Sequence, residues 1–236
     1  MTIYTVIADE PGGRYSRLAN VFTRSIRANM PDIDVRTVPR PRPKKAAAPY
    51  KPNVYGFLTK LETWSQIVHE AREPVILADC DMLMVNPIEQ WPTKHEIAFT
   101  ERNTPTAKVN TGIVFVQPNH RTRQFFRVWL SVYQEMLEDF DFYMEYAPVW
   151  AGGDQAALGY IFEEQIAGSA QIDRLGCARW NLTQSEWDDF TPGRSQFVHI
   201  KSDLRKLCLG EVARMRAPAT ERMREIAALW RVYDEA

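Results

Sequence analysis

Apolar positions along the chain recur in two periods. Ile3 to Ala8 is apolar and β-branched and predicts a first strand ending at Asp9. Pro11-Gly12-Gly13 turns the chain, and Leu18, Val21, Phe22 and Ser25 then recur at helical spacing up to about Met30-Pro31. Ile33 to Val38 predicts a second strand, so the chain opens strand, helix, strand, which argues for a parallel α/β sheet. Val54 to Ala71 sets Phe57, Leu58, Leu61, Trp64 and Val68 on one face of an amphipathic helix. Between the boundaries Glu73-Pro74 and Asn86-Pro87 lies an apolar stretch, Val75 to Val85, broken only by Asp79-Cys80-Asp81. A short continuous apolar run between breakers fits a strand buried on both faces, in a sheet covered by helices.

The second half continues the alternation. Ile97 to Thr100 and Asn110 to Val116 predict strands. Arg121 to Phe140 predicts a long helix, with Phe125, Trp129, Val132, Tyr133, Met136 and Phe140 on its core face. Aromatics at that spacing mean core packing rather than a cofactor box. Gly152-Gly153-Asp154-Gln155 opens another helix with Asp154 in N-cap position. Gln171 to Leu175 and Gln196 to Ile200 predict late strands, and Glu211 to the end is helical with an interruption at Pro218. The run from Pro39 to Pro52 is proline-rich and basic, with no acidic residue. It reads either as a solvated loop extended by its prolines or as a flap whose cations meet a phosphate or an acidic acceptor. No internal repeat or other linker stands out. The expectation is one α/β domain over residues 1–236, with a mixed, mostly parallel sheet flanked by helices.

Composition changes this picture little. A chain of 236 residues, 45% hydrophobic and 25% charged, buries a substantial core and is ordinary for a globular protein. The formal net charge of −1 gives no global argument for nucleic acid or an acidic membrane. Cys80, Cys177 and Cys208 are few and far apart, so neither a disulfide framework nor a zinc cluster is suggested. The first residues lack a basic region before Asp9, and no apolar run reaches membrane-spanning length. Together these predict a cytoplasmic protein.

Candidate chemistry concentrates at element ends. Asp79 and Asp81 sit where the central strand leaves the sheet, and that carboxyl edge is where open α/β sheets bind ligands. Two residues apart, the aspartates share one face of an extended strand. Paired carboxylates repel unless a cation joins them, and oxygen ligands beside a diphosphate suit Mg²⁺ or Mn²⁺. An Asp-rich turn is the bland alternative. Asn110, Asp154-Gln155 and His199 stand at the ends of later elements; Asp154 also has a helix-capping role and His199 that of a satisfied buried histidine.

Taken in order, these pieces resemble the nucleotide-sugar-dependent glycosyltransferases of the GT-A fold, in particular the glycogenin- and lipopolysaccharide-galactosyltransferase-like group. The likeness runs over about residues 3 to 205. It is carried by Val6-Ile7-Ala8-Asp9, Lys60-Leu61, the D-x-D run from Ile76 to Pro87, Asn110-Thr111-Gly112-Ile113, Asp154-Gln155, Trp180-Asn181 and His199. The resemblance implies a metal-dependent glycosyltransferase using Mn²⁺ or Mg²⁺, a nucleotide-diphosphate sugar donor with UDP ahead of GDP, and retention of configuration. It implies Asp79, Asp81 and His199 as metal ligands and Asp9, Lys60, Asp79, Asn110, Lys201 and Arg205 as donor contacts. Asp154 and Gln155 are implied as the catalytic pair. The late motif departs from the group, since His199 is followed by Ser202 and Arg205 in place of glycine and lysine, and Pro-Trp is absent. Arg205 or Lys201 therefore takes the diphosphate contact.

Three rivals share some of these residues. A haloacid-dehalogenase-like phosphatase wants Thr or Val where Leu83 stands and a second acid after Gly153-Asp154. A sugar nucleotidyltransferase is suggested by Gly12-Gly13-Arg14, but that loop needs a further glycine where Tyr15 stands. A non-catalytic nucleotide-sugar or glycan-binding protein of the same fold has no need of both aspartates and His199.

Overall fold

The computed structural model describes residues 1–8, 13–46, 48–51, 53–184 and 186–235. The chain opens with β1 (Thr2–Ala8), α1 (Arg14–Asn29), β2 (Asp34–Arg40) and α2 (Val54–Glu70). The apolar stretch at its centre forms two strands, β3 (Val75–Ala78) and β4 (Met82–Met84). β5 (Ile97–Glu101) and β6 (Val109–Val116) lead into α3 (His120–Glu138), α4 (Phe140–Trp150) and α5 (Asp154–Glu163). β7 (Ile172–Gly176), the short α6 (Cys177–Trp180), β8 (Phe197–His199), α7 (Ser202–Cys208) and α8 (Glu221–Asp234) complete it.

Six strands form one sheet in the order β2-β1-β3-β6-β5-β7. β1 runs parallel to β2 and β3, β5 runs parallel to β7, and β6 is antiparallel to both its neighbours. The sheet is thus mixed and mostly parallel. Every strand but β6 ends on the same edge, and β6 begins there. β4 and β8 pair separately as a two-stranded antiparallel ribbon.

Burial on both faces explains the continuous apolar strands. Val75 and Leu77 of β3, with Val114 and Val116 of β6, pack under Leu61, Trp64, Phe125 and Trp129 of α2 and α3. Ile76 and Ala78, with Ile113 and Phe115, face the opposite layer beside Phe22, Ile26 and Trp180. Truncating Trp129, fully buried between the helices, costs on the order of 3–5 kcal/mol. A third cluster docks α7 and α8 onto α1 through Leu18, Leu204, Ile226 and Trp230. Among the described residues no helix is long and apolar enough to cross a membrane.

Several expectations need correction. The stretch from Val75 to Val85 is not one strand: the chain leaves the main sheet at Asp79 and joins the ribbon at Met82. The long helix ends at Glu138, because Asp139 accepts from the N–H groups of Asp141 and Phe142 and starts α4. Pro39 and Arg40 belong to β2, and Arg40 donates to Thr63 and Gln66 of α2. The last helix begins only at Glu221, and α7 precedes it. Asp154 is the first residue of α5, not its N-cap. That place is taken by Gly153, held at φ 59° after Ala151 at 70° and Gly152 at 68°. Such left-handed backbone costs a non-glycine residue about 1 kcal/mol or more, which Ala151 bears here. A side chain at 153 would also strike the Phe57 ring at 2.7 Å.

Candidate active site

The carboxyl edge of the sheet opens into a cleft of about 580 Å³. Clefts of that size hold a small ligand with most of its surface covered. Asp79 follows the last residue of β3, and its N–H donates to the Gly112 carbonyl at 2.8 Å. Asp81 precedes β4, and its carbonyl accepts from the Ile200 N–H at 2.7 Å. His199 ends β8 directly opposite Met82. The split of one apolar stretch into two strands therefore delivers both aspartates to the histidine. The three side chains offer ligand atoms within 4.8 Å of one another.

A chain of hydrogen bonds fixes which nitrogen of His199 faces the aspartates. Asn181 Nδ2 donates to Thr100 Oγ1 and Asn110 Oδ1, both at 2.8 Å, while Thr100 Oγ1 donates to the Asn110 carbonyl. The Asn181 amide is thereby oriented, and its Oδ1 lies 3.2 Å from His199 Nδ1. Nδ1 must carry the hydrogen to donate there. Nε2 then turns a bare lone pair toward Asp81 Oδ1 at 3.1 Å and Asp79 Oδ2 at 3.6 Å. A lone pair facing two carboxylates is satisfied by a cation between them, and an oxygen-rich set with one imidazole suits a divalent ion such as Mn²⁺. Burial and the nearby Lys201 ammonium hold the His199 ring below the ordinary histidine value despite the carboxylates, so it is neutral at neutral pH. Gly112 makes room for the ring: a Cβ there would meet Nδ1 at 2.5 Å.

Asn181 was anticipated only as half of a Trp-Asn pair, yet it sets this tautomer. Asn181→Leu is expected to weaken Mn²⁺ affinity about 10-fold or more, the order lost when a ligand's support is removed. Metal titration beside a melting curve checks it; unchanged affinity with a lowered melting temperature would confine Asn181 to packing.

Cations surround the carboxylates. Lys60, projecting from α2, lies 2.8 Å from Asp154 Oδ2 and 3.1 Å from Asp79 Oδ1. Burial works against its charge, but the two carboxylates outweigh burial and raise its pKa. The Trp64 ring, 4.5 Å from the ammonium, adds a cation–π contact. Arg205 from α7 pairs with Asp81 Oδ2 and donates to the Tyr15 hydroxyl at 3.2 Å and the Ile200 carbonyl at 3.1 Å. Burial opposes ionisation of Asp81, yet the Arg205 guanidinium and the Lys201 ammonium overcome it and hold its carboxyl well below the usual range. Lys201 is partly buried and lines the same cleft, its pKa lowered by burial despite Asp81 and with Arg102 adding to the lowering.

Asp154, only 2% exposed, receives the Thr111 hydroxyl at 3.0 Å on the oxygen that meets Lys60. The indole of Trp129 holds its backbone carbonyl at 2.9 Å. Gln155 Nε2 donates to the carbonyls of Val109 at 2.8 Å and Trp150 at 3.1 Å. Both amide hydrogens are thus spent, leaving its side-chain oxygen. Asn110 Oδ1 is taken by Asn181 and the Gly112 N–H, which leaves its amide hydrogens for a ligand. Nine of the ten residues singled out from the sequence line this cleft; Asp9 lies outside the described residues. Thr111, Tyr15 and Arg102 also line it and were not foreseen.

The model of one protein family, described as nucleotide-diphospho-sugar transferase, matches residues 59–203. The chain belongs to that family. It is accordingly a glycosyltransferase that draws on a nucleotide-sugar donor. The matched region begins just before Lys60 and ends just after Lys201, so it spans both aspartates, Asn110, Asp154, Gln155 and His199. No curated protein matches the chain in sequence. Solved structures match its fold, that of GT-A glycosyltransferases. A glycosyltransferase involved in glycosylation of the major capsid of PBCV-1 superposes with TM-score 0.60 at 10% identity over 98% of each chain. The galactosyltransferase LgtC, in complex with donor and acceptor sugar analogs, gives 0.59 at 11% identity over 100% of this chain and 95% of LgtC. The glycosyltransferase GlyE of Streptococcus pneumoniae TIGR4 gives 0.58 at 12% identity, over 100% of this chain and 61% of GlyE.

Proposed function

We propose that this family member is a divalent-metal-dependent glycosyltransferase that moves a sugar from a nucleoside-diphosphate donor to an acceptor with retention of configuration. The observation that carries the metal dependence is the convergence of Asp79, Asp81 and the Nε2 lone pair of His199 within 4.8 Å. A Mn²⁺ or Mg²⁺ ion held by these three would supply positive charge against the diphosphate as it leaves. Arg205 would add a second cation to the phosphates, reached by leaving Asp81 while Tyr15 still holds its guanidinium. The nucleoside belongs at the β1 and β2 end of the cleft, where Val6, Ala8, Tyr15 and Pro43 offer apolar and aromatic surface. Asp9, next after Ala8 in the sequence, is assigned to the donor on the resemblance. UDP is preferred to GDP on the same ground.

Retention has its own support. An inverting enzyme needs a free carboxylate to deprotonate the acceptor from the face opposite the leaving group. The cleft's described residues offer three carboxylates: two belong to the metal set, and Asp154 is buried against Lys60 and Thr111. The leaving phosphate is left as the base. The Gln155 side-chain oxygen and Asn110 amide would hold the sugar near the attacked carbon.

Calorimetry of UDP and GDP with and without Mn²⁺ tests the reading, together with turnover of radiolabelled donors. Nucleotide binding that ignores Mn²⁺ would end the metal assignment, and binding without any turnover would point to a non-catalytic sugar-nucleotide protein. The basic loop enters here too. Arg42 and Lys45 line the nucleoside end, whereas Arg40 is spent on α2. Replacing Arg42 and Lys45 with Gln is expected to raise the donor KM by several-fold with little change in melting temperature. Identical kinetics would return the segment to a solvated loop.

A further inference from the structure

We propose that Gly56 sets the size of sugar the enzyme accepts: the space beside it is kept for the sugar half of the donor, and a side chain there would exclude that sugar while sparing the nucleotide. This rests on the glycosyltransferase reading above and names a residue that limits its donor. Gly56 is the third residue of α2, half-buried on the wall of the cleft. Glycine weakens a helix relative to alanine, because it surrenders the most backbone freedom on folding and packs no side chain. A helical glycine therefore needs a reason. Other glycines of the fold have one: Gly153 has left-handed backbone, Gly112 lies against the His199 ring, and a Cβ on Gly159 would strike the Trp150 ring. Gly56 has neither kind of reason. Its backbone is helical, and a Cβ there would meet no atom within 4 Å. Alanine would fit the protein's own packing, so the open space serves something other than the fold.

Contacts around Gly56 point to the sugar as the occupant. Helical side chains lean back toward the N-terminus of their helix, so Lys60, one turn after Gly56 on the same face, projects toward it. The Lys60 ammonium lies 5.7 Å from the ring of Phe57, the residue next to Gly56. The same ammonium is 3.1 Å from Asp79 and 2.8 Å from Asp154. The Phe57 ring also closes on Gly153, where a Cβ would meet it at 2.7 Å. Gly56 is thus tied through both of its neighbours on α2 to the segment that carries Asp154 and Gln155, the residues assigned to the sugar. The nucleoside was assigned to Val6, Ala8, Tyr15 and Pro43, and none of these takes part in those contacts. A ring seated against bare backbone leaves little slack, and each added methyl or methylene must displace it.

Gly56→Ala and Gly56→Leu test this, because both residues suit a helix better than glycine. Gly56→Ala is expected to raise the melting temperature by about 1–3 °C. Calorimetry in Mn²⁺ with UDP and GDP, and with UDP-glucose, UDP-galactose, UDP-N-acetylglucosamine and GDP-mannose, reads binding. UDP and GDP should bind both variants within about threefold of wild type. The sugar nucleotide that the wild type binds tightest should lose about threefold in Gly56→Ala and at least about tenfold in Gly56→Leu, as overpacking a filled site does. A better-folded protein that binds its sugar nucleotide worse is a result that a purely structural glycine would not give. A Gly56→Leu variant that binds every sugar nucleotide as the wild type does would overturn the inference. Equal losses for a nucleoside diphosphate and its sugar conjugate would overturn it too, since the space would then belong to the nucleotide. Failure of the glycosyltransferase reading looks different: the wild type itself would bind neither nucleotides nor sugar nucleotides, and the role of Gly56 would fall with it.

Discussion

Asp81→Ala is expected to abolish Mn²⁺-dependent nucleotide binding, a loss of at least about 100-fold against the 10- to 100-fold seen when only a ligand's support is removed. Asp81 is 6% exposed and, among the described residues, is the one carboxylate in contact with both His199 Nε2 and Arg205. Without it the metal keeps one carboxylate and one imidazole, too few fixed ligands to hold a hard cation against water. The fold should survive. Removing one partner of a buried pair costs 3–5 kcal/mol when the other charge is stranded, but Arg205 retains the Tyr15 hydroxyl and the Ile200 carbonyl. A destabilisation nearer 1–3 kcal/mol is therefore expected. Asp81→Asn keeps the shape and separates the causes: it should lose the metal equally while melting closer to wild type. Calorimetry with Mn²⁺ titrated at fixed UDP reads the effect. Wild-type affinity in both variants would remove Asp81 from the metal set.

How the aspartates reach the histidine shows what sequence patterning can and cannot carry. The apolar run at Val75 to Ala78 was legible as a strand buried on both faces because adjacent residues alternate between two helical layers. The pairing of Asp79 with Asp81 was legible from chemistry, but not for the reason of a shared strand face. The backbone leaves β3 at Asp79 because its next partner is not β6 but β8, more than a hundred residues later. No local period records that exchange. Asn181 was hidden for the same reason, since its partners Thr100 and Asn110 stand 81 and 71 residues away. The start of α5 was misplaced by one residue because Gly-Gly-Asp is compatible with either cap. Contact of Gly153 with Phe57 and the Tyr143 hydroxyl decides it, and both come from other helices. Lys60, by contrast, was found through the resemblance alone. A lysine on an amphipathic helix has no local sign that it will end between two carboxylates.

Asp154→Asn is expected to keep the fold and nucleotide binding and to lose sugar transfer by on the order of 10²- to 10³-fold, the effect of removing one charge-stabilising group from a reacting centre. The substitution is informative because Asp154 does not cap α5. Gly153 holds that position, so replacing the carboxylate forfeits only a favourable helix-dipole contact of about 0.3–1 kcal/mol and one counter-charge of Lys60. Lys60 keeps Asp79 at 3.1 Å and the Trp64 ring, which limits the loss in stability. The backbone of Asp154 stays fixed by the Trp129 indole, so the amide occupies the place of the carboxylate. What changes is charge. Among the described residues both partners of the carboxylate, Lys60 and Thr111, meet Oδ2, which leaves Oδ1 for a sugar hydroxyl or for the positive charge that develops on the anomeric carbon. Gln155 beside it supplies a neutral oxygen that cannot replace a charge. The paired measurement is single-turnover transfer and melting temperature, once the donor is identified. Transfer at the wild-type rate would leave Asp154 as the anchor of Lys60 and nothing more, and the reacting carbon would then rely on Gln155, the metal and the donor's own phosphate.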